Sequence, residues 1–166
     1  MTEPGASHPL LRVTLDGDGL RTLAPGQEAD RARAIADLEA EGRFVLADAF
    51  AARVRPDAGL ALHMVVEQGR IAFQIRDTDG APVVTHMLSL RPFRSVVKDY
   101  RMMVDSHQAA LEAGGRDRVQ AIDMGRRGLH DEGAGLVRLR LEGKIAVDLA
   151  TARRLFTLIC VLHQRD

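Results

Sequence analysis

"LALHMVVEQGRIAFQIRDTDGAPVVTHMLSL", Leu60–Leu90, runs through three apolar stretches broken at Gln68-Gly69 and Asp79-Gly80. Alternation with a period of two places one set of side chains on the buried face of a strand. Asp-Gly between two such runs is a strong two-residue hairpin signal, and the stretch reads as an antiparallel meander. With Asp79-Gly80 as the turn, Ile75 opposes Val84, Phe73 opposes His86 and Ile71 opposes Leu88. A two-residue turn at Gln68-Gly69 then sets Val66, Met64 and Leu62 against Ile71, Phe73 and Ile75. A three-residue first loop would instead bring Gln74, Ala72 and Arg70 into the apolar row, so parity selects the shorter turn. Leu62, Met64, Val66, Ile71, Phe73, Ile75, Val84 and Leu88 share one face, and His86 is its polar intruder.

That face needs a partner, and the residues that follow supply one. "LRPFRSVVKDYRMMVDSHQAALEAGG" has Pro92 in its first turn and Gly114-Gly115 at its end, both where helices accept them. Phe93, Val96, Val97, Tyr100, Met103, Val104, His107 and Leu111 form an apolar stripe, with Arg94, Lys98 and Arg101 on the other side. This is expected to be the longest helix and to cover the meander. Upstream, "LLRVTLD" suits a half-buried strand with Leu11, Val13 and Leu15 inward. Gln27–Glu41 reads as a helix, with Ala32, Ile35, Ala36 and Leu38 at helical spacing and Gly42 as a left-handed stop. Phe44–Ala52 fits a strand or the start of a short helix equally well. Downstream, Asp117 with Gln120 forms a capping box for one helix, and "EGAGLVRLRLEG" is a further helix. "KIAV" extends as a short strand, and Asp148 is an N-cap for the last helix, "LATARRLFTLICVLH".

Strands first and helices last imply an α+β fold: an antiparallel β-meander packed by a long helix, followed by a helical C-terminal section. At 166 residues a single domain is expected, strand-rich over 9–90 and helix-rich over 91–166. The 23 basic and 23 acidic side chains leave no net field to draw nucleic acid or an anionic membrane. The C-terminal part carries the positive excess, with 14 basic against 10 acidic residues from position 91 onward. Cys160, the one cysteine, lies inside "LFTLICVLH" and reads as a buried thiol. The N-terminal residues lack the basic and apolar regions of a signal peptide, and no apolar run approaches the ~20 residues of a membrane span. A cytoplasmic protein is expected.

"PVVTHMLSLRPFRSVVKDY", "AIDMGRRGLHDEG" and "VDLATARRLFTLICVLH" together resemble a family of small, uncharacterised bacterial proteins widespread in alphaproteobacteria. The resemblance spans about residue 60 to the C-terminus. It implies a cytoplasmic bacterial protein and supplies no catalytic residues to carry over.

The densest polar stretch is "DMGRRGLHDEG", Asp123–Gly133. Read as structure, it is a polar corner between two helices, with Asp123 at ion-pair spacing from Arg126 and Arg127. Read as a site, the arginines hold an anionic ligand or a partner's carboxylate, and Asp123, His130 and Glu132 complete the cluster. The enzymatic alternative makes His130 and Glu132 acid and base beside Arg126 and Arg127 in hydrolase-like or metal-assisted chemistry. No nucleophile elbow surrounds Ser95, Ser106 or Cys160, and "EAGGRDR" lacks the P-loop pattern. His86 and His107 are a weak metal pair without HxxxH or HExxH spacing. Neither a metal nor a cofactor is expected. Arg94, Lys98, Arg101, Arg116, Arg118, Arg126 and Arg127 allow phosphate contact with nucleic acid, but a neutral chain without Trp and with one Tyr lacks stacking platforms. A non-catalytic binding or regulatory protein is therefore favoured over an enzyme.

Overall fold

The structure is a computed structural model that describes residues 6–163. In chain order it comprises β1 (Ser7–Asp16), α1 (Pro25–Glu41), β2 (Arg43–Leu46), α2 (Asp48–Ala51), β3 (Leu60–Glu67), β4 (Arg70–Arg76) and β5 (Pro82–Ser89), then α3 (Arg94–Ala113), α4 (Arg116–Leu141), β6 (Ile145–Ala146) and α5 (Leu149–Leu162). The strands make one sheet in the order β5-β4-β3-β1-β2-β6. The sheet is mixed, because β1 runs parallel to β3 while every other neighbouring pair is antiparallel. The α+β class expected from the sequence is the class observed.

The meander pairs as parity requires: Leu62 with Ile75, Met64 with Phe73, Val66 with Ile71, and then Ile75 with Val84, Phe73 with His86, Ile71 with Leu88. Leu62, Met64, Ile71, Phe73, Ile75 and Leu88 are buried, while Val66 and Val84 are half-buried. The first turn is the two-residue one, with Gln68 and Gly69 both at positive φ. The second is longer than expected. Asp77 and Ala81 close a loop with Gly80 at φ 84, and Asp77 Oδ1 accepts from the amides of Asp79 and Ala81 at 2.9 Å each. This side chain mimics a backbone turn and adds a residue to the loop. A bulge between Ile75 and Arg76 on the β5 pairing restores the register, leaving Val83 as the extra residue.

A second bulge corrects the reading of β1. Its register shifts between Leu10 and Arg12, so Leu10 and Val13 are buried and Leu11 is 57% exposed. Strict alternation fails where one residue is inserted. Helix α1 buries Ala34 and Leu38, and Ala32 and Ala36 remain exposed. It stops at Gly42, which is extended (φ -66, ψ 139) rather than left-handed. Glycine is needed there for room, since a Cβ would stand 2.6 Å from the Leu38 carbonyl oxygen. The undecided Phe44–Ala52 divides between β2 and α2. That short helix ties the two ends of the sheet together: the Ala47 amide bonds to the Lys144 carbonyl beside β6, while Phe50 meets the His86 ring edge-on and Arg53 donates to the Val83 carbonyl on β5.

The helical half departs most from expectation. The longest helix is α4 with 26 residues, not α3 with 20. It opens after Gly115 without a side-chain cap, so the Asp117–Gln120 box does not form. "DMGRRGLHDEG" is not a corner but the middle of this helix, continuous with "EGAGLVRLRL". Tertiary contact outweighs the low helix propensity of the glycines: a Cβ on Gly133 would stand 2.4 Å from the Phe156 ring, and one on Gly125 2.6 Å from Met103 Cε. The backbone of α4 thus lies directly on α5 and α3. Helix α3 buries Val96, Val97, Tyr100 and Ala110, but Leu111 is 52% exposed, and its principal neighbour is α4 rather than the meander. The most deeply buried helix is α5, capped by Asp148, whose carboxylate accepts from the Thr151 amide at 2.7 Å. Cys160 is buried within it.

Two glycines five positions apart give opposite expectations. Gly133→Ala pushes into the Phe156 ring and should cost ~1–3 kcal/mol, whereas Gly128, with open space around it, should gain up to ~1 kcal/mol as alanine. Thermal or urea unfolding of the two variants checks both; equal effects would contradict the close approach at Gly133.

Candidate functional site

An i to i+4 spacing brings Arg126 and His130 to the same inner side of α4, over Tyr100 on α3 and Phe156 on α5. Arg126 Nε donates to the Tyr100 hydroxyl at 3.3 Å, and its guanidinium carbon lies 5.8 Å from the Tyr100 ring centre. The same guanidinium reaches Asp30 on α1 at 3.7 Å, a loose ion pair. The His130 ring stacks on Tyr100 with centres 5.7 Å apart, and both rings meet Phe156 at 5.9 and 5.6 Å. His130 Nε2 lies 2.9 Å from the Arg153 carbonyl oxygen and 2.9 Å from Thr157 Oγ1. As a donor it satisfies that carbonyl at the first turns of α5.

The rest of the cluster is less enclosed. Arg127 and Asp123 form an exposed i,i+4 pair at 3.4 Å, and Asp131 pairs with Arg153 at 2.6 Å. Such surface pairs contribute ~0–1 kcal/mol. Glu132 is exposed, two residues from His130 and so turned roughly 200° away around the helix. Of the five residues, Arg126 and His130 pack inward, Asp123 is half-buried two turns before His130 on nearly the same side, and Arg127 and Glu132 are exposed. His86 lies against Phe50, and His107 lines a shallow groove with Ala110, Leu111, Val119 and Asp123 where α3 turns into α4. Among the described residues, no three His, Cys, Asp or Glu side chains come together as a metal-holding group. The arginines considered for nucleic acid do not share a face either, since Arg101 turns inward to donate to the carbonyls of Cys160, at 3.2 Å, and His163.

Beside the inner pair is a cleft of about 360 Å3 between the start of α1, α3 and α5. Val104, Val161 and Cys160 form an apolar wall, Tyr100 and Thr157 add hydroxyls, and the charged lining sets Arg101 against Asp30, Asp105 and Glu112. Perturbed groups gather here. Burial raises the Tyr100 hydroxyl above its ordinary value against the opposing charge of Arg126. Burial also lowers His130, with the Arg153 carbonyl partly opposing it, and pushes the Cys160 thiol far up. Tyr100, the only tyrosine of the chain, is legible as part of an apolar stripe, and a buried phenol usually takes a hydrogen-bonding partner. Asp30 carried no comparable signal, because its partner Arg126 lies almost a hundred residues away.

Two consequences are measurable. Native Cys160 should resist thiol reagents and label only with denaturant; rapid native labelling would contradict its burial. Because His130 is lowered below the ordinary 6.5 in the folded state, the unfolded chain binds its proton first as pH falls. The stability it contributes is complete above pH 6.5 and is lost progressively below it. His86 is lowered too, first by burial and then by Lys144, so His130→Gln should flatten the fall in melting temperature between pH 7 and 5 without abolishing it.

Among the described residues no helix is long and apolar enough to cross a membrane. Residues 7–165 match the model of the Uncharacterised protein family (UPF0262). A UPF0262 protein of Granulibacter bethesdensis is 50% identical over 99% of this chain and 96% of its own. One from Acidiphilium cryptum is 52% identical over 94% and 93%, and one from Nitrobacter winogradskyi 48% identical over 98% and 93%. No solved structure matches the chain significantly. With the family model covering nearly the whole sequence, and relatives near half identity over more than nine-tenths of their length, the chain belongs to the uncharacterised family UPF0262.

Proposed function

We propose that the protein is a non-catalytic binding protein whose ligand occupies the cleft between α1, α3 and α5. The observation that carries this reading is a partly apolar cavity lined by Tyr100 and Cys160, with Arg126 and His130 packed against Tyr100 behind its wall, a combination expected of a ligand site. Arg126 Nε donates to the Tyr100 oxygen, so the proton Tyr100 offers is directed to an acceptor. The charges of Arg126 behind it and of Arg101 in the wall favour an acidic head group at Tyr100, which competes with Asp30 across its loose 3.7 Å pair, while the carboxylates of Asp105 and Glu112 keep that group away from the rest of the lining. Val104 and Val161 take the apolar body. The anionic-ligand reading of Asp123–Gly133 thereby narrows to Arg126, while Asp123, Arg127 and Glu132 are left as solvated charges or contacts for a partner protein. A cytoplasmic setting and a single folded unit go with this proposal, since the lone buried thiol asks for no oxidising compartment.

The enzymatic alternative is less well supported. His130 has its Nε2 engaged by α5 and a lowered affinity for protons, and Glu132 stands on the opposite side of the helix. A general acid and base must both reach one substrate.

Protein-observed heteronuclear NMR against a library of carboxylic-acid fragments tests the proposal. Hits should perturb Tyr100, Val104 and Val161. Tyr100→Phe, which keeps the ring packing, should weaken them at least tenfold, and Arg126→Ala should weaken them while also lowering the melting temperature. Arg127→Ala, whose side chain is 80% exposed, should change neither. Fragments that bind Tyr100→Phe as well as the parent, or that are chemically converted on incubation, would overturn it.

A further inference from the structure

The face of the sheet turned away from the helices carries a pattern the sequence did not disclose. Directly opposed residues on adjacent strands point to the same side. The rows Val13–Leu62–Ile75–Val84 and Leu15–Met64–Phe73–His86 look toward the core, so the rows that alternate with them look outward. One outward row is Arg12–Ala61–Arg76, and the next is Thr14–His63–Gln74–Thr85. Two arginines therefore flank a small residue across three adjacent strands, roughly 10 Å apart by the ladder spacing, with nothing on Ala61 to stop them leaning together. Both are exposed, and among the described residues neither side chain has a hydrogen bond or ion pair.

We propose that this face is a binding site for a phosphate monoester. The two guanidinium groups supply two positive charges and forked donors from opposite sides. That matches a dianionic group with three terminal oxygens better than a carboxylate with two. The polar row beneath supplies further donors. His63 Nδ1 lies 2.6 Å from Thr14 Oγ1; with the hydroxyl donating, the ring proton sits on Nε2, and Gln74 adds its amide next to it. All these side chains line one depression of about 520 Å3. The carboxylate at its rim, Asp77, already accepts the Asp79 and Ala81 amides with one oxygen. Leu11, seated over Gly59 and 57% exposed, gives the rim an apolar contact for the ester's organic part. No Phe, Tyr or Trp stands in these outward rows and the chain has no net charge, which argues against a nucleic-acid strand as the occupant.

Heteronuclear NMR titration of the full chain with inorganic phosphate, phenyl phosphate and benzoate tests this. Shifts should center on Arg12, His63, Gln74 and Arg76. Phenyl phosphate should bind more tightly than phosphate through the Leu11 contact, and benzoate should bind at least tenfold more weakly than phenyl phosphate. Arg12→Gln and Arg76→Gln should each lower phenyl phosphate affinity at least tenfold at unchanged melting temperature. Tyr100→Phe should leave it unchanged, which separates this site from the cleft. No shifts at millimolar phosphate, equal binding by both arginine variants, or preference for a single-stranded RNA oligonucleotide over phenyl phosphate would overturn it.

Discussion

The contact of the α4 backbone with the Phe156 ring at Gly133 governs the helical half of the molecule. A ring pressed against bare backbone lets α4 and α5 approach more closely than any side chain would allow, and Phe156 also meets Tyr100 and His130. One aromatic side chain on the buried helix thus fixes the mutual positions of α3, α4 and α5. The inner side of the polar stretch follows from it: once α4 is seated, Arg126 and His130 fall over Tyr100 and have local partners. What looks in sequence like a run of catalytic residue types is, on that side, a set of pins between helices. The same seating leaves the cleft, because α1 reaches this region through Asp30 and closes one wall without filling the space.

Legibility in the sequence followed the range of the interactions. The meander was readable to the residue because its register is a local matter of parity and turn chemistry. Even there the Asp77 side chain lengthened the second turn, and a bulge at Val83 returned the register, two local departures that cancel. The bulge at Leu11 did not cancel, so the buried set of β1 moved from Leu11 to Leu10. The last helix and its Asp148 cap were likewise local signals. The continuity of α4 was not, since glycines at 125, 128, 133 and 135 argue for a break unless their neighbours are known, and Met103 and Phe156 are distant in sequence. Polar residue types were identified at Asp123–Gly133, but which of them turn inward depends on helical phase against α3 and α5.

The outward face of the sheet shows the same limit from the opposite side. Arg12, Ala61 and Arg76 are ordinary residues of three separate strands, and only the parallel pairing of β1 with β3 puts them in one row. The meander alone does not say which strand β1 joins or in which direction it runs. Topology, rather than a motif, creates that pattern, and membership of UPF0262 gives a set of relatives in which the row can be examined.

The dependence of the helical half on the Gly133–Phe156 contact is tested most directly by native-state hydrogen exchange along α4. The account predicts unbroken protection through residues 125–137, across all four glycines, and a collapse of that protection together with that of α5 in Phe156→Leu. Rapid exchange at 125–128 in the native chain, or unchanged protection in Phe156→Leu, would contradict it.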